Sequence, residues 1–249
     1  MKTLLIADIH THFEPISVFL DKFGKDYDEI VFLGDHFDDF NDSIDSNRNT
    51  ALWLKSILHN PKYIFIPGNH DLAYMFPNNG SLWCSGFSPE KCEVINEVLT
   101  KEDWKKFKLI HKTQGFWLSH AGITKYVFEH PVLGMNEEHI LNMCDRALKN
   151  AEMEVYDPVL CAGRYRGGRQ PIGGITWAHW STELKPIPNF KQIVGHTPDK
   201  LPRSEYVPNK KHALGESHCI DCSGNYHGII EDGVFSTIKV NDYLESLLV

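Results

Sequence analysis

The stretch of sequence that decides the fold runs from residue 63 to residue 71 and reads Tyr63-Ile64-Phe65-Ile66-Pro67-Gly68-Asn69-His70-Asp71. Its first four residues are continuously apolar, a pattern typical of a strand buried on both faces in a parallel sheet. Its last four residues place an amide, an imidazole and a carboxylate where that strand ends. Such a run is far more specific than an isolated pair of polar residues, so it indicates a functional loop.

Two further segments share this arrangement: residues 4–7 before Asp8-Ile9-His10, and residues 30–33 before Gly34-Asp35. Apolar residues at helical spacing in residues 16–23 and 51–58 predict the intervening helices, with Gly24 capping the first. The order strand, helix, strand, helix, strand predicts parallel strands joined by right-handed crossovers. Because the carboxyl ends of parallel strands meet at one edge of a sheet, we expect the polar clusters to lie together.

The remaining chain reads as helices, loops and further strands. In chain order we predict turns and short helices at 77–107, two strands around Gln114-Gly115, a helix over 140–151, a Gly-, Pro- and Arg-rich loop at 157–189, a strand at 192–194, a closing antiparallel group at 218–221, 228–231 and 234–240, and a small helix at 243–248. The chain is thus predicted to be an α/β protein with one domain, residues 1–249, and cap-like insertions at approximately 77–107 and 124–190.

Composition narrows the class of protein. The formal net charge of −8 disfavours a stable nucleic-acid partner, because phosphate backbones repel an acidic surface. No apolar segment approaches the roughly 18 residues of a membrane span, and Asp8 ends the first apolar run too early for a signal peptide. We therefore expect a cytoplasmic protein with no membrane partner and with its six cysteines reduced. The single Cys219-x-x-Cys222 pair is expected to be structural rather than a zinc or redox site.

Six residues at predicted strand ends supply the ligands that two divalent cations need: Asp8, His10, Asp35, Asn69, His120 and His196. Asp8 and His10, two apart in an extended segment, would lean to one side and hold one cation. The two oxygens of Asp35 could bridge to a second cation. Oxygen and imidazole ligands without a thiolate suit manganese, iron, zinc or nickel. His70 adjoins this centre, where a proton donor belongs.

Taken in order, five blocks resemble the calcineurin-like metallophosphoesterases: Asp8-x-His10, Gly34-Asp35-x-x-Asp38, Gly68-Asn69-His70-Asp71, His120 and Gly195-His196. The resemblance extends from residue 4 to about residue 230. It looks closest to the compact serine/threonine phosphatase branch, which includes bacteriophage-type protein phosphatases and bacterial diadenosine tetraphosphatases. The segments 119–123 and 194–198 are similar to that branch in particular.

The resemblance implies a four-layer αββα sandwich with two mixed sheets. It implies one metal ion held by Asp8, His10 and Asp35, and a second held by Asp35 together with Asn69, His120 and His196. It also implies that His70 is the general acid, oriented by Asp38, and that Asp71 supports the loop. The two metal ions, with manganese expected, would activate water for attack on phosphorus.

One position departs from the family pattern. Protein phosphatases of this branch place an arginine directly after the second aspartate of the second block, and here that residue is Asp39. A replacement could come from Arg164, Arg166 or Arg169, because arginine matches phosphate by paired hydrogen bonds. A solvated basic loop is an equally open interpretation. The aromatic residues of 174–180 could line a pocket or pack in the core.

The leading functional hypothesis is a phosphomonoesterase that acts on phosphoserine or phosphothreonine, or on small phosphorylated metabolites. The main alternative is a dinucleoside polyphosphate hydrolase, in which the arginines and Trp177 would bind the extra phosphates and a base. A phosphodiesterase or nuclease is disfavoured by the net charge and by the Gly195-His196-Thr197 form of the last block. A non-catalytic binding module is disfavoured because all six ligand positions are intact.

Overall fold

The computed structural model describes residues 1–132, 134–207 and 214–241. The small helix predicted at 243–248 lies outside the described residues. Within them, the strands are β1 Lys2–Ile6, β2 Glu29–Phe32, β3 Tyr63–Phe65, β4 His111–Thr113, β5 Phe116–Leu118, β6 Lys191–Val194, β7 Arg203–Tyr206, β8 Glu216–Cys219, β9 Tyr226–Glu231 and β10 Val234–Lys239. The α-helices are α1 Glu14–Phe23, α2 Ile44–Ile57, α3 Asn69–Met75, α4 Pro89–Val98, α5 Lys101–Trp104, α6 Lys125–Phe128 and α7 Glu137–Glu152.

The first sheet has the strand order β10-β9-β1-β2-β3. The predicted parallel pairing of β1, β2 and β3 is confirmed, with Leu4 opposite Ile30 and Val31 opposite Ile64. The hairpin of β9 and β10 adds two antiparallel strands beside β1. Gly24 caps α1 as predicted, although its φ of −53° is right-handed and the chain continues into a short 3₁₀ turn.

The second sheet has the strand order β4-β5-β6-β8-β7. The predicted hairpin around Gln114-Gly115 is confirmed as β4 and β5. The prediction of one closing antiparallel group is wrong, because β8 pairs in parallel with β6 in this second sheet while β9 and β10 belong to the first. Strand pairing is non-local, so a short apolar run does not reveal which sheet it joins. The consequence is functional: the carboxyl end of β8, which leads to Asp221, joins the carboxyl ends of β5 and β6.

Three apolar clusters show how the sheets and helices are layered. One cluster lies between the sheets and includes Leu5, Val31 and Ile193. A second packs the outer face of the first sheet against helices α1, α2, α4 and α5. A third packs the outer face of the second sheet against α7. The four-layer αββα sandwich with two mixed sheets is therefore confirmed. Residues 77–107 supply α4 and α5 to the second cluster, and the single-domain organisation stays a prediction.

Candidate metal centre and its surroundings

The loops that leave the strands at one edge of the sandwich adopt left-handed backbone conformations. The φ angles are 51° at Asp8, 41° at His10, 51° at Asp35 and 68° at His196. The predicted extended conformation of Asp8 and His10 is therefore wrong, because the chain turns sharply as it leaves β1. Backbone hydrogen bonds hold this turn, including His10 N–H to Asp35 O at 3.0 Å. Left-handed conformations are unfavourable by about 1 kcal/mol or more for each non-glycine residue, and they concentrate at functional sites.

The first ligand cluster joins Asp8, His10 and Asp35, whose ligand atoms all lie within 4.8 Å of one another. The Nδ1 of His10 donates a hydrogen bond to the Asp38 carbonyl oxygen at 2.6 Å. This bond leaves Nε2, which faces Asp35 Oδ2 at 3.9 Å, as the nitrogen able to bind a cation. The Asp8 carboxylate is held in place because it accepts a hydrogen bond from the His196 backbone N–H at 2.9 Å.

The second ligand cluster joins Asp35, His120 and His196, again with ligand atoms within 4.8 Å of one another. His120 Nδ1 donates to the Leu33 carbonyl at 2.8 Å, so Nε2 is the ring nitrogen that could bind a cation after losing its proton. That nitrogen lies 3.1 Å from Asn69 Oδ1, 3.1 Å from His196 Nδ1 and 3.3 Å from Asp35 Oδ2. Four buried acceptor atoms at these separations fit a divalent cation between them.

Electrostatics point the same way. Asp8, Asp35 and Asp221 are all at least 96% buried, so their carboxylates need neutralisation, either by protonation or by a bound cation. Burial, together with the charges of Asp221 and Asp35, raises the pKa of Asp8 well above its ordinary value. Burial alone would also raise the pKa of Asp35, but the neighbouring charges of His120 and His70 hold it well below the ordinary value.

Asp221 also lies at the edge of the sandwich that carries the ligand clusters, and the sequence did not predict it. Burial raises the pKa of its carboxyl group, and the residue lines the same cavity as Asp8 and Asp35. The available signal was positional: Asp221 follows β8 closely, much as Asp8 follows β1. The apolar pattern around it could not reveal that β8 ends beside the ligand clusters.

Two motif glycines allow the ligands to approach the backbone. A Cβ atom on Gly68 would lie only 2.0 Å from Asp35 Oδ1, and one on Gly195 would lie 2.1 Å from Asp8 Oδ2. Any side chain at these positions would displace the carboxylates. The glycines that precede Asn69 and His196 are therefore part of the centre.

Beside the second cluster, His70 is held at two points. Its ring Nδ1 lies 3.0 Å from Asp38 Oδ2, and its backbone N–H donates to Asp35 Oδ1 at 3.0 Å. Burial would lower the pKa of His70, but the charge of Asp35 and the hydrogen bond to Asp38 raise it well above its ordinary value. The backbone of His70 is thus attached to the carboxylate shared by both clusters, and its ring is attached to Asp38.

The partner of His70 is itself fixed by residues that the sequence did not reveal. Asp38 Oδ1 accepts hydrogen bonds from the Tyr74 hydroxyl at 2.5 Å and from Lys91 Nζ at 2.9 Å. Lys91 Nζ also contacts Asp42 Oδ2 at 2.8 Å and the Gly86 carbonyl oxygen at 2.9 Å. Although burial would raise the pKa of Asp38, the hydrogen bonds from His70, Tyr74 and Lys91 lower it, so Asp38 stays ionised.

Asp71, the last residue of the 63–71 stretch, connects two of the loops. Its carboxylate accepts hydrogen bonds from the backbone N–H groups of Gly68 at 2.7 Å and His36 at 2.9 Å. The second bond, together with the contact between its Oδ2 and His36 Nδ1 at 2.9 Å, ties the loop after β3 to the loop after β2.

A cavity of about 960 Å³ opens over both ligand clusters and extends to Pro15, His227 and Val240. Arg164, Arg166 and Arg169 are all exposed, and of the three only Arg166 lines this cavity. Asp39, at the position of the expected arginine, faces His12 Nε2 at 3.0 Å. Of the aromatic residues in 174–180, Trp177 lines the cavity, with its ring 5.8 Å from that of His196. Trp180 is instead buried in the core.

The cysteines lie outside the two ligand clusters, and all six are free. Cys219 and Cys222 are buried, and the Cys219 thiol donates to the Gly195 carbonyl oxygen at 3.2 Å. Among the residues described, no helix has the length and apolar character that crossing a membrane requires.

The two mixed sheets bring acidic and imidazole side chains together at one edge, an arrangement suited to binding divalent metal ions. Residues 1–200 match the profile of the family described as Calcineurin-like phosphoesterase. The chain belongs to that family of metallophosphoesterases. Its members use divalent metal ions, which the two buried clusters could hold. No curated protein sequence matches the chain significantly.

Three solved structures are similar to the chain at low sequence identity. A cold-active protein tyrosine phosphatase is 14% identical with a TM-score of 0.58, over 95% of this chain and 78% of the other. A putative diadenosine tetraphosphatase is 15% identical with a TM-score of 0.50, over 96% of this chain and 93% of the other. A protein serine/threonine phosphatase from Saccharomyces cerevisiae is 15% identical with a TM-score of 0.47, over 96% and 80% respectively.

Proposed function

We propose that the chain hydrolyses phosphate monoesters, either of the phosphoserine and phosphothreonine type or of small phosphorylated metabolites, with two manganese ions per chain. The observation that carries the proposal is the double attachment of His70. Its backbone N–H is bonded to Asp35, which both ligand clusters share, and its ring is bonded to Asp38. A proton donor is thereby fixed beside the place where two cations would hold a phosphoryl group.

The ligands divide into two sets that meet at Asp35. We assign Asp8, His10 and Asp35 to one ion, and Asp35, Asn69, His120 and His196 to the other. When bound, the two cations would neutralise the charge of the phosphoryl oxygens and acidify water. Because the Asp8 and Asp35 carboxylates and the His10 and His120 rings are already oriented by hydrogen bonds, little reorganisation would be needed for binding.

His70 is assigned as the general acid and Asp38 as the residue that orients it. With Nδ1 donating to Asp38, the ring presents Nε2–H to the leaving-group oxygen. Tyr74 and Lys91 keep the Asp38 carboxylate ionised and in place, so the His70 ring cannot turn away. The proton given to the leaving alcohol is recovered from solvent in each turnover.

The charges around the cavity favour a substrate with one phosphate. Among the described residues that line it, the only lysine and arginine are Lys91 and Arg166. Lys91 already uses its three donors on Asp38, Asp42 and Gly86. Arg166 is therefore the side chain that we assign to the phosphate in place of the arginine missing at position 39. A tetraphosphate would require more cations than these.

The test is a hydrolysis panel with the manganese-loaded enzyme. We expect activity on a phosphoserine peptide and on 4-nitrophenyl phosphate that exceeds the activity on diadenosine tetraphosphate and on bis(4-nitrophenyl) phosphate. A preference for diadenosine tetraphosphate would establish the dinucleoside polyphosphate hydrolase instead. A preference for the bis-aryl ester would establish a phosphodiesterase.

The role of His70 is tested by His70→Ala. Turnover of the phosphoserine peptide should fall by roughly 10²-fold or more, because an alkoxide leaving group needs a proton. Turnover of 4-nitrophenyl phosphate should fall much less. His59→Ala, which removes an exposed histidine outside the cavity, is the matched control. Undiminished activity of His70→Ala on the peptide would reject the assignment.

A further inference from the structure

A third group of metal-ligating side chains lies beside the two that meet at Asp35. It consists of Cys84, His70 and Asp38, whose ligand atoms lie within 4.8 Å of one another. The Cys84 Sγ is 3.5 Å from His70 Nδ1, and that nitrogen is 3.0 Å from Asp38 Oδ2. Cys84 is half-buried and lies in the loop before α4. It is the one cysteine among the residues of the three clusters.

The separations match those of a tetrahedral metal site. With a metal–sulfur bond of about 2.3 Å and a metal–nitrogen bond of about 2.0 Å, a tetrahedral angle places sulfur and nitrogen about 3.5 Å apart. Cys84 Sγ and His70 Nδ1 already have this separation. Oxygen and nitrogen ligands would be about 3.3 Å apart in the same geometry, close to the observed distance between Asp38 and His70.

We propose that Cys84, His70 and Asp38 form an inhibitory site for a thiophilic divalent cation such as Zn²⁺ or Cd²⁺. The inhibitory effect rests on the function proposed for His70. Binding releases the Cys84 thiol proton and the proton shared between His70 Nδ1 and Asp38, and no electron is transferred. Manganese prefers oxygen and imidazole ligands, so the thiolate separates this site from the two clusters at Asp35.

Binding here would disable the general acid. The cation replaces the hydrogen bond that orients His70 on Asp38, and it adds positive charge beside the ring. Lys91 Nζ, 2.9 Å from Asp38 Oδ1, opposes the cation as a like charge, so the site should fill reversibly rather than permanently. Asp38 Oδ2 faces the cluster, while Oδ1 is occupied by Tyr74 and Lys91.

The experiment adds Cd²⁺ to the manganese-loaded enzyme and records two signals. One is the ultraviolet charge-transfer absorption of a cadmium–thiolate bond, and the other is turnover of the phosphoserine peptide. The variants are Cys84→Ser and, as a matched control, Cys92→Ser, which removes the other half-buried thiol. Each protein is compared with its own activity before cadmium is added. Cys84→Ala provides a second replacement if the serine variant folds poorly.

We expect the absorption to saturate at one cadmium per chain in the wild type and in Cys92→Ser, with turnover reduced at least tenfold. Cys84→Ser should lose the absorption and keep most of its activity at the same cadmium concentration. If Cys84→Ser is inhibited as strongly as the wild type, cadmium acts by replacing manganese and the proposal is wrong. Absorption without inhibition would leave a metal site but overturn its inhibitory role.

The absorption also separates this proposal from the proposed function. An enzyme without phosphomonoesterase activity would still show the Cys84-dependent absorption if the site exists. An active enzyme without that absorption would retain the proposed function and lose the third site.

Discussion

The buried histidine at position 227 should make the protein sensitive to acid. His227 lies on β9, is 1% exposed, and packs edge-on against Phe19 of α1, with the ring centroids 5.1 Å apart. Burial lowers the pKa of its imidazole to about 4. In the unfolded chain the same group would titrate near 6.5. The unfolded state therefore binds more protons between these two values, so stability is present above pH 6.5 and is lost as pH falls toward 4.

The magnitude follows from the two pKa values. Each unit of separation corresponds to about 1.4 kcal/mol, so the full loss approaches roughly 3 kcal/mol below pH 4. Between pH 7.5 and pH 5.0 the same relation gives a loss of roughly 2 kcal/mol from this single group. A loss of this size is a substantial fraction of the free energy of unfolding of an ordinary domain.

The perturbation is His227→Leu, which keeps a similar volume and removes the titrating group. The assay is urea unfolding at pH 7.5 and pH 5.0 for the wild type and the variant, in the same metal-free buffer. We expect the wild type to lose about 2 kcal/mol more than the variant between the two pH values. The metal ligands titrate equally in both proteins and cancel in this comparison. Parallel losses, within about 0.5 kcal/mol, would refute the reasoning.

Three further predictions concern the metal centre and the phosphate. Asp35→Asn should lose both metal ions together by elemental analysis after gel filtration, and retention of one full equivalent would argue against a shared ligand. Gly195→Ala should lower metal occupancy while the far-ultraviolet circular dichroism stays unchanged, because its new methyl group would overlap a carboxylate oxygen of the first cluster. Gly80→Ala, with open space around the new methyl group, is its control, and equal losses in both variants would contradict this explanation. Arg166→Ala should raise KM for the phosphoserine peptide up to about tenfold. Arg164→Ala, at an exposed position outside the cavity, should leave this KM unchanged. An equal increase in KM for Arg164→Ala would indicate a general effect of the basic segment 164–169.

The three parallel strands of the first sheet could be predicted from the sequence because their information is local. Residues 4–7, 30–33 and 63–66 are apolar without interruption, and short runs of this kind are typical of strands covered on both faces. The helices between them follow from apolar residues at helical spacing. Together these patterns establish parallel pairing without knowledge of any contact between distant residues.

The second sheet was less predictable, for a physical reason. β7 is an edge strand in which exposed residues alternate with partly buried ones, so it has no apolar run to reveal it. β8 has a readable pattern, but its assignment to a sheet depends on pairing with β6, about 25 residues earlier. That pairing is decided by packing between elements, which a local pattern does not contain.

The residues of the metal centre also fall into two groups, those that the sequence predicted and those that it did not. Motif spacing and the family resemblance led to the six ligand positions, and the structure brings their side chains together. Lys91, Tyr74 and Cys84 were missed because each is a single residue that belongs to none of the motifs. Their importance arises only from contact with Asp38 or His70, and such contacts depend on how α3, α4 and the adjoining loop pack.

Charge connects the centre with the substrate proposed for it. Six aspartates line the cavity, namely Asp8, Asp35, Asp38, Asp39, Asp42 and Asp221, against one lysine and one arginine. Counting these residues alone, the formal imbalance is four negative charges, so two divalent cations would bring the cavity close to neutral, and a protonated His70 would add one positive charge. On the proposed function, a phosphate monoester would bind between the two cations and Arg166, where the positive charge would be concentrated. Additional phosphates would meet the carboxylate of Asp39, which lines the same cavity at the position of the missing arginine, and this arrangement disfavours long polyphosphates.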